Sequence, residues 1–133
     1  AMPAMCGREW IVEAHGCQPD ALTDLRRLQV LFERLTEALE LHAVEEPRWH
    51  TFPGAGGPGT GGITGLSLLA ESHLACHTFP EYGSLCLNVF CCRPRPDWNF
   101  KHYLEQEFGA NSVCVRRIER PYQNDEMATN ERK

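Results

Sequence analysis

The sequence predicts an α+β fold, a two-layer α/β sandwich whose antiparallel sheet carries helices on one face. Three observations predict it. Strand-like segments cluster between two helical ones, in the order β, α, a run of β, α, β. One leucine-rich stretch repeats at helical spacing, with charges between its apolar positions. The length of 133 residues suits one domain, spanning 1–133, around one core. The uncovered face of so small a sheet would stay partly apolar, which predicts pairing with a second copy as a homodimer.

Glu9 to Ala14 reads as a strand running into the turn His15-Gly16. Pro19-Asp20 opens a helix in which Leu22, Leu25, Leu28, Phe32, Leu35 and Leu39 recur at helical spacing. Ala43 to Phe52 is a second extended segment. The stretch PGAGGPGTGG at 53–62 is too rich in glycine for helix or strand and reads as a hairpin connection or active-site flap. It has no P-loop pattern and no lysine, so it is not read as a phosphate cradle. Ile63 to Ala70 and Leu74 to Phe79 are two apolar runs with Glu-Ser-His between them. Ser84 to Cys92 alternates, and both of its faces are mostly apolar, so it is expected at the centre of the sheet. After the breaker RPRPD, Trp98 to Phe108 forms a second helix with Asp97 as its expected N-cap and Gly109 as its stop. Ser112 to Arg120 is the last strand, and the polar tail 123–133 is expected to be disordered. Ala1-Met2 reads as an expression remnant.

With a formal charge of -5, the chain lacks the clustered cationic excess of a nucleic-acid surface. No apolar run approaches the ~18 residues of a membrane span, and a cytoplasmic protein is expected. The seven cysteines are an odd number, and Cys91 and Cys92 would face opposite ways on a strand, which makes a poor disulfide framework. Most are expected as thiols packing like small hydrophobes.

On a regular strand His73, Ala75 and His77 share one face, and Ser72, Leu74, Cys76 and Thr78 the other. Two histidines four apart on a strand are separated by roughly 13 Å, too far to grip one ion. The pair Cys91-Cys92 lacks zinc spacing, so no metal is expected. Ser72 or Cys92 could pair with His77 as nucleophile and base. Taken singly, such residues more often fill and hydrogen-bond a core.

As a set they carry more. The stretch TGLSLLAESHLACHTFPEYGSLCLNVFCC at 64–92 resembles the core of the prokaryotic S-adenosylmethionine decarboxylases, self-processing pyruvoyl enzymes. The likeness extends loosely from WIVEAHGC at 10–17 through RPDWNFKHYLEQEFGA. Its specific part is E-S-H-x-x-x-H-T-aromatic-P-E with a cysteine twenty residues after the serine. The resemblance implies that the Ser72 hydroxyl attacks the carbonyl of Glu71, that β-elimination divides the chain into 1–71 and 72–133, and that the serine remnant becomes a covalent pyruvoyl cofactor. It further implies that His77 is the acid/base of processing and that Cys92 returns a proton to the substrate α-carbon. Thr64 stands where the family has a processing serine, with an extra methyl that restricts its rotamer. The ketone would form a Schiff base with an amino-acid substrate and accept the electrons of decarboxylation. The implied assembly is a homodimer with its sites near the interface.

In that family adenine lies between aromatic rings beside an acid. Phe79 stands where tryptophan is usual, Glu81 matches the acid, and Phe52 is a candidate for the opposite ring or, equally, a core residue before a loop. His15 replaces a commonly aromatic residue and Asn88 a common aspartate. The main expectation is decarboxylation of S-adenosylmethionine in polyamine biosynthesis. Arginine or ornithine is the alternative substrate, for which Glu13, Glu81 and Asp97 are the candidate carboxylates. A non-catalytic dimeric relative is the other alternative.

Overall fold

Among the described residues six strands form one sheet, antiparallel at every pairing. They are β1 (Cys6–His15), β2 (Arg48–Thr51), β3 (Ile63–Leu69), β4 (Ser72–Phe79), β5 (Ser84–Cys91) and β6 (Ser112–Pro121), ordered β2-β3-β4-β5-β1-β6. This computed structural model describes residues 6–124, so Ala1-Met2 and the part of the expected tail at 125–133 lie outside the described residues. As its two apolar faces require, β5 is an interior strand between β4 and β1.

The helices are α1 (Pro19–Leu22), α2 (Leu25–Ala38) and α3 (Phe100–Phe108). The single helix expected from Pro19 is in fact two. Asp24 accepts a hydrogen bond from the Arg27 N–H and starts α2 afresh, although the leucine period runs through the break. The N-cap of α3 is Asn99, which accepts from the His102 N–H at 3.0 Å. Asp97 does not cap, because Arg117 holds its carboxylate at 2.8 and 2.9 Å. Gly109 ends the helix at a φ of 68°, the left-handed position that glycine fills without cost. The segment 43–52 is extended only in part: an isolated bridge joins Ala43 to Leu69, and β2 begins after Pro47, which has no N–H for a ladder.

One face of the sheet and the helices enclose the core. Trp10, Val12 and Ala14 from β1, Leu74 and Cys76 from β4, and Leu85, Leu87, Val89 and Cys91 from β5 are buried with Leu28, Phe32, Phe100 and Phe108. Burying one such large apolar side chain contributes ~1.5–3 kcal/mol. The Trp49 ring packs on Phe32 with centroids 4.6 Å apart, and it occupies the space that a side chain at Gly65 would need. Burial pushes the Cys76 thiol up to about 12, which makes it inert. No disulfide joins the cysteines, and no helix among the described residues is long and apolar enough to cross a membrane.

Thr78 ties the layers together. Fully buried, it donates to the Leu22 carbonyl at 2.7 Å and accepts from the Ile63 N–H at 2.9 Å. Thr78→Val keeps the shape but strands both backbone groups. A loss of about 1–3 kcal/mol is expected in urea unfolding, with an unchanged slope.

The opposite face carries Thr64, Leu66 and Leu68 from β3, and His73, Ala75, His77 and Phe79 from β4. No helix covers it. Leu66 and Leu68 remain 48% and 50% exposed. The arginines of β6 are already engaged: Arg116 pairs with Glu13 at 2.6 Å, Arg117 with Asp97 at 2.8 Å and Arg120 with Glu9 at 3.0 Å.

Candidate functional site

Leu69 pairs with Ser72, so only Ala70 and Glu71 connect β3 to β4. Two-residue hairpins usually place positive φ on glycine or asparagine within the loop. Here Ala70 and Glu71 have no positive φ, and the unusual angle falls on Ser72, at 154°. Such a conformation costs a non-glycine residue of order 1–3 kcal/mol and persists only where its surroundings hold it.

The surroundings do hold it. The Cys92 N–H donates to the Glu71 carbonyl at 2.8 Å, and the Ala70 N–H donates to the His42 carbonyl at 2.8 Å. The Glu71 carboxylate, 10% exposed, accepts from the His42 N–H at 2.9 Å and meets His42 Nδ1 at 2.5 Å. Burial raises the Glu71 carboxyl, yet the His42 hydrogen bonds outweigh it and hold the group below the ordinary glutamate value. The peptide bond between Glu71 and Ser72 is therefore fixed from both sides.

A line of polar groups runs from Ser72 across the open face. Ser72 Oγ is 3.2 Å from His73 Nδ1, and His73 Nε2 is 2.6 Å from Asn88 Oδ1. Asn88 Nδ2 donates to Glu9 at 2.8 Å, and Arg120 donates to the other Glu9 oxygen at 3.0 Å. Sequence reasoning missed this line and missed His42. It put His73 and Ser72 on opposite faces of a regular strand, but Ser72 stands at the strand's irregular start. The remaining partners come from β5, β1 and β6 through registers that no local pattern announces.

Thr64 and His77 are directly paired across β3 and β4, and Thr64 Oγ1 is 2.5 Å from His77 Nδ1. The His77 ring leans on Phe79 at 4.3 Å and on Phe52 at 5.9 Å. Phe52, His77, Phe79 and Glu81 line a cavity of about 480 Å³ with Pro53, Thr60 and neighbouring glycines of the 53–62 segment. The glycine-rich stretch is thus a wall of this cavity. A larger cavity of about 530 Å³ lies between α2 and β2, lined in part by Phe32, Glu33, Glu37 and Trp49, and none of the expected site residues reaches it.

The expected residues therefore form two groups. Glu71, Ser72 and Cys92 gather at one end of the β3–β4 hairpin, and Thr64, His77, Phe52, Phe79 and Glu81 at the other. Five residues along a strand separate Ser72 from His77 by roughly 16 Å, so His77 does not reach the serine of its own chain. Of the three acids considered for a cationic substrate, Glu13 and Asp97 are paired with arginines and only Glu81 lines the cavity. Arg117 holds the Asp97 carboxyl below its ordinary value.

Comparison with known proteins shows the family and the fold. The sequence model of the family described as S-adenosylmethionine decarboxylase matches residues 8–121. The chain is 36% identical over 124 residues to an S-adenosylmethionine decarboxylase proenzyme of Carboxydothermus hydrogenoformans, covering 92% of this chain and 91% of that one. It is 34% identical over 116 residues to the proenzyme of Moorella thermoacetica, covering 86% of each. The fold is that of the adenosylmethionine decarboxylase from Aquifex aeolicus, with a TM-score of 0.70 over 92% of this chain and 97% of that one, at 20% identity.

Proposed function

The chain belongs to the S-adenosylmethionine decarboxylase family, and on that premise we propose that it decarboxylates S-adenosylmethionine after cutting itself between Glu71 and Ser72. The observation that carries this reading is the state of that bond. Ser72 is held at a φ of 154°, and the Glu71 carbonyl already accepts the Cys92 N–H at 2.8 Å. When Ser72 Oγ adds to that carbonyl carbon, negative charge develops on an oxygen with a fixed donor in place. Collapse of the adduct gives an ester, and cutting releases the backbone strain.

The residues fit a pyruvoyl group at position 72, since the serine stands next to the Cys92 backbone and points toward the open face through its contact with His73. That group supplies an electron sink for loss of carbon dioxide. Cys92 is the proton donor to the substrate α-carbon, Phe52 and Phe79 hold the adenine, and Glu81 lies beside it.

A second copy completes the site. The Thr64–His77 pair is too far from its own Ser72, so a homodimer formed over the open face would bring the pair and cavity of one protomer to the Ser72–Cys92 end of its partner. The half-exposed Leu66 and Leu68 supply apolar area for that contact. In the composite site His77 takes the Ser72 α-proton from the ester, the Ser72 Cβ–Oγ bond breaks so that the main-chain carboxylate of Glu71 leaves as a new C-terminus, and hydrolysis of the remaining dehydroalanine releases ammonia and yields the new N-terminal ketone.

Denatured intact mass and carbon dioxide release from carboxyl-labelled S-adenosylmethionine test this reading together. Two chains, 1–71 and a pyruvoyl-led 72–133, with release of label are expected; one uncut chain without release would overturn it. For the pocket, Phe79→Ala is expected to raise KM for S-adenosylmethionine about 5- to 150-fold, since stacking a base is typically worth ~1–3 kcal/mol. An unchanged KM would remove Phe79 from adenine binding.

A further inference from the structure

We infer that His73 is the base that activates Ser72 for the first step of self-cutting, and that Asn88 and Glu9 hold it in the tautomer able to do so. This deepens the self-cutting reading above and rests on it. The direction of the hydrogen bonds can be read from the far end of the line. A carboxylate only accepts, and Glu9 uses one oxygen for Arg120 at 3.0 Å and the other for Asn88 Nδ2 at 2.8 Å. The Asn88 amide is thereby oriented, with Oδ1 toward His73 Nε2 at 2.6 Å. A carbonyl oxygen accepts, so Nε2 carries the hydrogen. In neutral imidazole Nδ1 is then bare. That nitrogen is the one 3.2 Å from Ser72 Oγ.

The hydroxyl proton passes to His73 Nδ1 as Oγ bonds to the Glu71 carbonyl carbon. The carbonyl π pair moves onto the oxygen that accepts the Cys92 N–H. On collapse that pair returns, the bond from the carbonyl carbon to the Ser72 nitrogen breaks, and the nitrogen takes the proton back from Nδ1. An amide has become an ester and an amine, with no net proton gained and His73 as it began. His73 also packs against the Phe90 ring at 5.9 Å, and Arg120 lies over that ring at 4.3 Å, so the imidazole and the far end of its line share one support. Asn88 and Glu9 are positioning residues, and Thr64–His77 serves the later elimination.

The test follows the uncut full chain by denaturing mass spectrometry, with and without hydroxylamine, which cleaves esters and spares amides. His73→Ala is expected to cut at least ~100-fold more slowly than the unaltered protein. Hydroxylamine should not accelerate it, because no ester forms, and added imidazole should restore part of the rate. His77→Ala should instead accumulate ester that hydroxylamine cleaves. Asn88→Leu keeps the His73 ring but removes the acceptor of Nε2, and should slow cutting roughly tenfold, as loss of an outer partner does for other positioned histidines. Cutting of His73→Ala at the unaltered rate, or its ready cleavage by hydroxylamine, would overturn the role. If His73→Ala does not fold, an unaltered rate in Asn88→Leu overturns it instead. An unaltered protein that never cuts itself defeats the proenzyme reading and this one with it; cutting that ignores these substitutions defeats this one alone.

Discussion

Ser72→Ala is expected to leave the chain uncut and to release no carbon dioxide from S-adenosylmethionine above the rate without protein. Alanine has no Oγ to add to the Glu71 carbonyl, so neither the ester nor the electron sink derived from it can form. The two readouts must fall together. Cys92→Ala separates them. It removes the thiol but keeps the backbone N–H that donates to Glu71, so cutting should continue while turnover drops by about 10²–10⁴, the contribution of a positioned acid. Intact mass and labelled carbon dioxide, measured on the same preparations, check both. Decarboxylation at an undiminished rate by Ser72→Ala would sink the pyruvoyl mechanism.

Producing the Ser72→Ala and His77→Ala chains together is expected to yield cutting that neither shows alone. In a mixed dimer one composite site carries both substitutions, and the other joins an intact Ser72 to an intact His77. Random pairing makes about half of the dimers mixed, so about half of the His77→Ala chains should be cut and none of the Ser72→Ala chains. The two substitutions differ in mass, so one spectrum assigns each product. A mixture that stays uncut would mean that His77 acts within its own chain, against the separation of roughly 16 Å along β4.

Local pattern made much of this legible. Apolar residues on both faces of β5 announced an interior strand, and the family resemblance pointed to Ser72, His77 and Cys92 as the residues the proposed chemistry would use. The leucine period concealed the restart at Asp24, because a cap can interrupt a helix without disturbing the apolar positions on either side. Asp97 and Asn99 are both capping types two residues apart, and the choice depends on Arg117, a strand away. The distance from Ser72 to His77 follows from strand rise alone. Whether a second copy supplies the proposed His77 does not, because it depends on what covers the open face. The line from His73 to Glu9 joins residues from three strands, and the clamp by His42 lies 29 positions from Glu71.

The sheet order carries a further consequence for a protein cut between residues 71 and 72. The first piece supplies β1, β2 and β3, and the second β4, β5 and β6. In space these interleave: β3 lies against β4, and β1 is enclosed by β5 and β6. The pieces stay together because each completes the other's sheet, although no peptide bond joins them. Unfolding the uncut chain is a reversal within one molecule, whereas rebuilding the cut one requires two fragments to find each other. Refolding should therefore include one more concentration-dependent step after cutting than before it. If the chain cuts itself as proposed, the mature protein is a structure that its own fragments inherit from the precursor, with a lifetime set by its rate of unfolding.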